Sequence, residues 1–410
     1  MKSARWPWIV AILCAGAALV LAFACTGDDD DDSADDDSGD DDIVEDDDSE
    51  DDDDDDDLTA DEPEWVIESV DRAAPGNRLT ALKIDPAGTV HIAYTGCSDP
   101  SCQNSELFHA IRTEKGEWLT ESVDDENNDT GWFQSMDINE AGDIFVFYAN
   151  HAQEKMRYAH KPAGGDWSTA PVGSGRGGWW TSCAFSGVVL HMAHTKLPSS
   201  GWDETRPQHV MLIEGDWFFD DIDTTYDSGW FTAMAIGADG MPLVAYDQGY
   251  MGGFLKLARL TGEGWDIMSI DESVIKSDVA VDPDGNIHVV YDKWDPLYPD
   301  TRDLMYATNA SGQWTSIILD PGEPPEAWTG EFPRITSDAH GGLHIAYEFD
   351  YESDLIYARD VGQGWEFYTV SSMGTGIYPW IETDSGGGVH ISWENSAQIH
   401  YAFCPGCALH

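Results

Sequence analysis

The sequence predicts an all-β fold built from repeated four-stranded sheets, and three observations support this. Segments such as VAVDPDGNIHVVYDK and ITSDAHGGLHIAYEF alternate strand-forming and polar residues with the period of two that half-buried strands need. Most copies carry a tight D-x-x-G turn between their first two strands and end in G-x-W. No segment after the N-terminus shows the 3.6-residue apolar period of a helix. Repeated short strands without helices are typical of a β-propeller.

The closing tryptophan sets the length of the repeat. It recurs at intervals of 48 to 53 residues, at Trp65, Trp118, Trp167, Trp217, Trp265, Trp314 and Trp365. The first complete copy contains predicted strands at Leu79–Asp85, Val90–Thr95, Leu107–Arg112 and Trp118–Val123. A single strand at 65–70 precedes this copy, and the last copy lacks its fourth strand. We therefore predict a seven-bladed β-propeller at 65–410, closed by strand 65–70 joining the last blade, which removes an exposed sheet edge.

The N-terminus predicts export and lipidation. A short basic start precedes an apolar run from Trp6 to Ala24, and Cys25 follows directly. This pattern resembles a bacterial lipoprotein signal, which implies a signal peptide at 1–24 and acylation of Cys25. Thr26, rather than Asp, after the cysteine favours the outer membrane or cell surface. The alternative is an uncleaved signal anchor, since the apolar run is long enough to span a bilayer.

Residues 25–64 form an acidic segment that predicts a disordered tether. The run is almost entirely Asp with some Ser, Gly and Glu, so it cannot bury apolar area, and its like charges extend it. Calcium is the possible ligand of such a run, although the spaced oxygens and turn glycine of a defined calcium loop are missing.

The net charge excludes one class of partner. The formal charge is −58, and 26 of the 78 acidic residues lie in this segment. The 18 basic and 52 acidic residues that follow leave the predicted propeller near −34. We therefore expect no nucleic acid partner, because phosphate binding needs clustered Lys and Arg. Strong self-repulsion favours a soluble monomer.

Four cysteines after the tether predict two local disulfides in an oxidising compartment. Cys97 and Cys102 flank SDPS, and Cys404 and Cys407 flank Pro-Gly at the C-terminus. An alternative for the second pair is a zinc site with His400 and His410. Cys183 is predicted to be a buried small apolar residue.

Histidines recur at the start of the second strand, at His91, His191, His288, His344 and His390. Because equivalent positions in a ring do not converge, we expect a structural role, with hydrogen bonds to neighbouring turns.

The connections before the first strands and between the second and third strands share one face of a propeller, and unusual residues collect there. Aromatic residues at these connections are Trp132, Trp179, Trp180, Trp230 and Trp380. Directly after the aromatic residue of the second strand, later copies place Asp247, Asp292, Glu348 and Glu394, where the first three copies have Thr95, Ala149 and Thr195. One half of the face is therefore expected to be acidic.

Aromatic planes beside carboxylates suit sugars, because C–H faces stack on Trp and hydroxyl groups donate to carboxylates. The same oxygens suit calcium. The structural alternative is that these tryptophans fill gaps between blades and the carboxylates cap loops.

The repeated G-x-W turn with aromatic-rich inner strands resembles the sialidase-like, or BNR-type, propellers and the seven-bladed sugar-binding bacterial propellers. The likeness spans the chain after Trp65, but the box S-x-D-x-G-x-T-W is reduced here to turns such as TEKGEW and GQGW. The resemblance implies the propeller fold and a carbohydrate ligand more strongly than it implies sialidase chemistry. Arg334, in FPRIT, lies at the start of a predicted inner strand. This is the position at which the resemblance implies a core arginine.

The leading hypothesis for function is a non-catalytic, lipid-anchored binding module at the cell surface, with glycan as the ligand class. The first alternative is a glycoside hydrolase of sialidase-like type, in which a pair such as Asp292 and Glu348 serves as acid and base. The second is a protein-interaction scaffold. No cofactor is expected.

Overall fold

The computed structural model describes residues 62–74, 79–98, 104–125, 129–202, 204–250, 252–294, 301–322, 328–349, 353–372, 376–395 and 398–408. Throughout these ranges the regular structure is β, with no helix, and therefore none that is long and apolar enough to cross a membrane. The predicted signal peptide, the lipidated Cys25 and the acidic tether lie outside the described residues.

The first three complete sheets are four-stranded antiparallel meanders. The first contains β2 (Thr80–Ile84), β3 (Val90–Gly96), β4 (Glu106–Arg112) and β5 (Trp118–Asp124). The second contains β6 (Trp132–Ile138), β7 (Ile144–Asn150), β8 (Lys155–Lys161) and β9 (Ser168–Pro171). The third contains β10 (Arg176–Ser186), β11 (Val189–Leu197), β12 (Arg206–Ile213) and β13 (Asp216–Asp221). The predicted strands of the first copy agree with these bounds to within one residue.

The next sheet has seven strands in sequential order. They are β14 (Ser228–Ile236), β15 (Pro242–Gln248), β16 (Gly253–Thr261), β17 (Gly264–Val281), β18 (Ile287–Trp294), β19 (Arg302–Thr308) and β20 (Thr315–Asp320). The long β17 pairs with β16 through its first half and with β18 through its second half. It therefore acts as the fourth strand of one meander and the first strand of the next.

Two further four-stranded sheets complete the described fold. One contains β21 (Glu331–Ser337), β22 (Leu343–Phe349), β23 (Asp354–Asp360) and β24 (Trp365–Ser371). The other contains β25 (Ile377–Thr383), β26 (Val389–Glu394), β27 (Gln398–Cys404) and β1 (Val66–Arg72). Here β1 pairs antiparallel with β27, with Val66 opposite Phe403, so strands from both ends of the domain share one sheet.

The first strands of successive sheets lie side by side. β2 lies beside β6, and the series continues through β10, β14, the second half of β17, β21 and β25, which in turn lies beside β2. Side chains join neighbouring first strands: Asp137 accepts the backbone N–H of Phe185 at 2.7 Å, and Asp278 accepts that of Ile335 at 2.9 Å. Thr80 and the buried Ser392 of β26 are joined by a hydroxyl hydrogen bond of 2.8 Å. These bonds satisfy polar groups where the sheets crowd together.

The recurring tryptophans join each sheet to the one before it. Trp118 packs edge-on against Tyr401 of β27, and Trp167 packs in the same way against His109 of β4, each with ring centroids 5.2 Å apart. The indole N–H groups also bond across the junction, from Trp118 to Glu68 at 2.8 Å and from Trp265 to Asp220 at 2.7 Å. The G-x-W repeat is thus an inter-sheet contact, in which the ring packs and its polar edge finds a carboxylate.

Four of the five recurring histidines, His91, His288, His344 and His390, bond to the tight turn that precedes their strand. The fifth, His191, bonds instead to His209, with 3.0 Å between the ring nitrogens. Nε2 of His344 lies 3.1 Å from Asp338, and Nε2 of His390 lies 2.9 Å from Asp384, while Nδ1 of His390 accepts from the Tyr401 hydroxyl. Burial lowers the pKa of His91 to about 4 and also lowers that of His288 and His390. At these four positions the buried ring holds the turn in place, as the sequence predicts.

A second repeated contact, here called the tyrosine clamp, occurs five times. It joins the second strand of a four-stranded meander to the end of the fourth strand of the meander before it. The hydroxyl of Tyr148 donates to Asp124 at 2.5 Å, and that of Tyr246 donates to Asp223 at 2.8 Å. The same contact is made by the pairs Tyr94–Asp71, Tyr291–Asp271 and Tyr347–Asp320.

The C-terminus is fastened by the predicted disulfide between Cys404 and Cys407. Cys407 and Ala408 are buried against β23, β25 and β26. Cys97 is disulfide-bonded, whereas Cys102 and His410 lie outside the described residues, so the pairing of Cys97 with Cys102 stays a prediction. Cys183 is buried and free, and burial raises the pKa of its thiol to about 12.

Candidate functional site

The site is built on the loop face, formed by the connections before the first strands (129–131, 174–178, 226–229 and 328–330) and those between second and third strands (151–154, 198–202 and 249–250). A short Gly-containing motif shapes it. In Thr130-Gly131-Trp132-Phe133 and Ser228-Gly229-Trp230-Phe231 the glycine has a positive φ, of 85° and 84°. A Cβ on Gly229 would lie 2.1 Å from the Pro207 backbone nitrogen, so the motif requires glycine.

After this glycine the first strand contains a bulge that places a bulky aromatic residue in the left-handed backbone region. The φ values are 54° for Phe133, 47° for Trp180, 52° for Phe231, 50° for Phe332 and 54° for Tyr378. Each lies inside a register shift of its sheet. This conformation costs about 1–3 kcal/mol for a bulky residue, and such strain clusters at functional sites.

An aspartate orients the tryptophan in two of these motifs. Asp227 Oδ1 accepts the indole N–H of Trp230 at 2.7 Å, and Asp129 Oδ1 accepts that of Trp132 at 2.9 Å. The other oxygen of Asp129 lies 3.0 Å from His151 Nδ1, and the His151 ring stacks on Trp132 at 4.1 Å. The D-[ST]-G-W-F runs therefore fix each indole plane through a hydrogen bond three residues away.

The rings join into a continuous surface, here called the aromatic platform. Trp179 contacts Phe133 at 4.8 Å and Trp202 at 4.6 Å, while Trp230 contacts Tyr250 at 4.8 Å. Its members are Phe133, Trp179, Trp180, Trp202, Trp230, Phe231 and Tyr250. Trp202 and Tyr250 are exposed, at 37% and 38%, whereas Trp230 is 6% exposed and supports the others from below.

A cavity at the centre of the loop face separates the aromatic platform from a charged region. It is lined by Trp180 and Phe231 on one side and by Lys276, Arg334 and Tyr378 on the other. The Lys276 ammonium lies 3.0 Å from the centroid of the Phe332 ring, and the Arg334 guanidinium lies 4.4 Å from that of Trp380. Both contacts have cation–π geometry.

Arg302 organises the charged region. Its guanidinium lies between the rings of Trp294 and Trp328, 4.4 and 4.2 Å from their centroids. One of its nitrogens donates to Asp292 at 3.1 Å and to Glu331 at 2.6 Å. Although burial opposes ionisation of Glu331, the charges of Lys276 and Arg302 lower its pKa. The arrangement is a buried ion cluster held by two aromatic rings.

The four predicted acidic residues lie at equivalent positions but below the surface. Asp247, Asp292 and Glu394 are 0% exposed and Glu348 is 4% exposed. On the neighbouring first strands, Asp247 lies opposite Trp230 and Asp292 lies opposite Lys276. Glu348 lies opposite Glu331, and Glu394 lies opposite Ile377. The expected acidic half of the face is therefore buried, because the bulged first strands cover these carboxylates.

Burial changes the protonation of two of these groups. It raises the pKa of Asp292 to about 6, although Lys276 and Arg302 oppose the shift. Burial and the nearby charge of Asp292 raise the pKa of Asp247 well above its usual value. Neither oxygen of Asp247 has a hydrogen-bond partner among the described residues. Asp247 therefore holds its proton to a higher pH than an exposed aspartate does.

The structure brings Trp132, Trp179, Trp180 and Trp230 together and places Trp380 across the central cavity, 9% exposed with Arg334 over its ring. Sequence reasoning missed Phe133, Phe231, Phe332 and Tyr378. The sequence signal that identifies them is an aromatic residue two positions after a glycine, as in Gly330-Glu331-Phe332 and Gly376-Ile377-Tyr378. In the part of the chain that the structure describes, no group of three or more His, Cys, Asp or Glu side chains is placed to hold a metal.

No protein-family profile matches the chain, and no curated protein sequence matches it either. Solved structures do resemble it. An ulvan lyase from a new family of polysaccharide lyase, bound to -[GlcA(1-4)Rha3S]-, has a TM-score of 0.57 at 12% identity and covers 82% of this chain and 95% of its own. The polysaccharide lyase Uly1 has a TM-score of 0.53 at 10% identity, covering 80% and 90%.

A third similar structure is a mutant of the α-L-arabinofuranosidase arb93a from Fusarium graminearum in complex with an iminosugar inhibitor. Its TM-score is 0.53 at 10% identity, covering 82% of this chain and 96% of its own. Likeness at such low identity concerns the fold. Together with the antiparallel meanders and adjacent first strands described above, it assigns the chain to the β-propeller architecture.

Proposed function

We propose that the loop face is a carbohydrate-binding surface and that the chain acts as a non-catalytic binding module. The observation that carries this proposal is the aromatic platform, a continuous set of indole and phenyl rings in which Trp202 and Tyr250 are exposed. Sugar C–H faces stack on such rings, and a surface of this kind exceeds what packing between sheets requires.

Backbone strain supports a ligand role for this region. Five bulky residues adopt positive φ values at one end of the first strands. A packing role alone does not require this conformation, since the sheets already hold together through the recurring tryptophans and tyrosine clamps. Pre-organised rings bind with little loss of side-chain entropy. The names of the similar structures, two polysaccharide lyases and an arabinofuranosidase with an iminosugar, agree with a glycan ligand.

The carboxylates favour binding over glycoside hydrolysis. A general acid or base must come within hydrogen-bond reach of the bond it acts on. Asp292 is buried and bonded to the Lys276 backbone N–H at 2.8 Å and to Arg302. Glu348 is also buried, opposite Glu331 in the next sheet. A sialidase-like or other hydrolytic activity is therefore the second candidate.

The test uses the purified full-length protein on a glycan array, followed by calorimetry of the positive glycans. We expect selective binding that weakens by about tenfold or more in Trp179→Ala and Trp202→Ala, because each loses a stacking plane. Phe367→Ala, which removes an exposed aromatic ring from β24, outside the loop face, is the matched control and should retain the affinity. Binding that is unchanged in both tryptophan variants would overturn the proposal. A blank array together with a crosslinked protein partner would favour the scaffold alternative.

We further propose that the propeller has seven blades and is closed by β1. The pairing of β1 with β27 and the adjacency of β25 and β2 support this count. So does the packing of Trp118 on Tyr401, which links the first complete sheet to the last. Disulfide trapping between β1 and β27, with cysteines at the opposed positions Glu68 and Tyr401, should give an intramolecular crosslink. Its absence would contradict this closure.

The N-terminal sequence supports a lipid anchor at Cys25, with the acidic segment 26–64 as a tether that holds a monomeric module at the outer surface. Mass spectrometry of the mature N-terminus, with Cys25→Ser as control, tests this. An acylated Cys25 that disappears with its membrane association in the variant is the expected result. An intact signal segment on the mature protein would favour the uncleaved anchor.

A further inference from the structure

The tyrosine clamp has a regular sequence spacing, with exceptions at two junctions. A junction is the place where the fourth strand of one repeat meets the second strand of the next. The clamp aspartate comes six residues after each recurring tryptophan, at Asp71, Asp124, Asp223, Asp271 and Asp320. The two exceptions are Gly173 and Ser371, six residues after Trp167 and Trp365. At the same two junctions the clamp tyrosine is replaced, by His194 and Trp393. Both partners of the clamp are therefore lost together.

The two exceptions differ in what fills the space. Trp393 is larger than tyrosine and is 1% exposed in a packed cluster with Tyr357 and Cys407. His194 is smaller than tyrosine, and its partner position is a glycine. A cavity of about 320 Å³ opens at this junction, lined by Met156, residues 172–177, His194, Lys196, Gln208 and Phe219. This volume lies within the range of small-ligand sites, and we call the cavity the junction groove.

The floor of the junction groove is a satisfied polar network. The Gly178 N–H donates to His194 Nδ1 at 3.1 Å, and His194 Nε2 lies 3.3 Å from Gln208 Oε1. Gln208 in turn donates to Asp221 at 2.7 Å. Burial lowers the pKa of His194 to about 4, so the ring is neutral at neutral pH. Its Nδ1 also lies 3.0 Å from the Thr195 carbonyl oxygen. The floor is therefore fixed and uncharged.

The charged side chains that line the junction groove are both cations, Arg176 and Lys196. Their carboxylate partners, Glu154 at 2.6 Å and Asp221 at 2.8 Å, are not part of the lining. Arg176 also donates to the carbonyl of Pro198 at 2.7 Å, which holds it at the rim. On a domain whose net charge is strongly negative, a cavity lined by two cations and no carboxylate selects for anions.

We propose that the junction groove is a subsite for the acidic group of a sugar, a carboxylate or a sulfate ester, next to the aromatic platform. This inference rests on the proposed carbohydrate function and names its substrate class as an acidic glycan. One segment forms both sites: Arg176 and Gly177 line the groove, and Trp179 and Trp180 belong to the platform. A glycan chain on the platform therefore reaches the groove with a neighbouring residue.

The experiment measures binding of three probes to the full-length protein by calorimetry: cellotetraose as the neutral probe, tetragalacturonate as the carboxylate probe and a sulfated carrageenan tetrasaccharide as the sulfate probe. We expect at least one acidic probe to bind about tenfold or more tightly than the neutral probe at about 0.15 M salt, and the preference to shrink at about 1 M salt. The comparison of the two acidic probes distinguishes carboxylate from sulfate.

Two variants assign the preference to the groove. Lys196→Gln removes a cation and should reduce the acidic preference by about tenfold, while Lys196→Arg should keep it. The double variant H194Y/G173D restores the clamp residues found at five other junctions and should fill the groove. It should lose the acidic preference and keep a cooperative thermal transition, which excludes simple misfolding. A small loss of stability is expected, because Gly173 has a φ of 68° and a Cβ there would lie 3.1 Å from the Phe219 ring.

The outcomes separate this inference from the function on which it rests. Equal affinity for neutral and acidic probes, unchanged in Lys196→Gln and H194Y/G173D, would overturn the groove subsite and leave a carbohydrate-binding platform. Acidic binding that is lost in H194Y/G173D but unchanged in Trp179→Ala would support the groove and contradict the platform. Failure of every probe to bind would overturn both.

Discussion

Both halves of the loop face contain the same backbone bulge, but the side chains around it differ. The aromatic half carries the aromatic platform, and the charged half is the region around Arg302. On the aromatic half the bulge motif places an indole before the left-handed residue, as in Trp132-Phe133 and Trp179-Trp180. On the charged half the preceding residue is Glu331 or Ile377, and the space is taken by a buried ion cluster around Arg302. Both halves retain the glycine, the register shift and the positive φ.

This contrast teaches that the backbone bulge is the constant part of the site and the side chain before it is the variable part. Where that side chain is tryptophan, an open aromatic surface forms. Where it is not, aromatic residues from other connections, Trp294 and Trp328, enclose a guanidinium instead. The aromatic half is therefore suited to stack on a ligand, and the charged half is already occupied by its own ion pairs.

The largest expected effect tests the charged half. Arg302→Ala should reduce the free energy of unfolding by about 3–5 kcal/mol, because it removes the guanidinium that bonds to the buried carboxylate of Asp292 and the part-buried carboxylate of Glu331. Urea unfolding of the full-length protein, followed by tryptophan fluorescence, measures this. The surface pair Arg259–Asp239, with both partners about half exposed, provides the control, and Arg259→Ala should cost under about 1 kcal/mol. Equal losses in the two variants would show that Arg302 is not the centre of a buried cluster.

The next effect tests the backbone that the halves share. Gly229→Ala and Gly330→Ala should each cost about 2–4 kcal/mol, because a Cβ would lie 2.1 Å from Pro207 N in one case and 2.7 Å from the Leu304 side chain in the other. Gly187 also has a positive φ, of 58°, but open space around it. Gly187→Ala should therefore cost only about 1 kcal/mol. If all three cost the same, the close approach is not what selects glycine in the motif.

A smaller effect concerns the boundary between the halves, where Asp247 lies under Trp230. Because its pKa is raised in the fold, Asp247 keeps its proton to a higher pH in the folded state than in the unfolded chain, which loses this proton above about pH 4. Rising pH therefore favours unfolding of the wild type. Asp247→Asn removes this penalty, so its free energy of unfolding should rise relative to that of the wild type as the pH increases from about 4 to about 7.

The control for this pH test is Asp292→Asn. It removes an acceptor of Arg302 and should destabilise the protein at neutral pH despite the similar chemistry. Unfolding curves at the two pH values give both results. A pH dependence in Asp247→Asn identical to that of the wild type would mean that Asp247 is ionised in the fold.

The smallest effect tests how the aromatic half is oriented. Trp230→Phe keeps a ring but removes the indole N–H that donates to Asp227, which should cost about 1 kcal/mol of stability. The same exchange at Trp180, for which no indole hydrogen bond is described, should cost less. Thermal unfolding of the two variants measures the difference, and a larger loss at Trp180 would contradict the orienting role of the aspartate.

Much of the fold can be predicted from the sequence because its determinants are local. The period-two alternation and the D-x-x-G turns predict strands that agree with the structure to within one residue in the first copy. The spacing of the tryptophans predicts the length of each repeat, and Trp118 and Trp167 lie at the contacts between neighbouring sheets. The Cys404–Cys407 disulfide follows from two cysteines three residues apart. The blade count remains a prediction.

Other features were decided only by the tertiary structure. The acidic half predicted from Asp247, Asp292, Glu348 and Glu394 is buried, because a bulge in the neighbouring strand covers positions that the strand alternation alone places at the rim. The junction groove depends on two residues 21 positions apart, Gly173 and His194, whose joint effect appears only where neighbouring sheets meet. The sequence by itself determined the repeating strands and their connections, since these depend on neighbours along the chain. The tertiary structure decided which polar groups are hidden and where space is left, since both depend on packing between repeats.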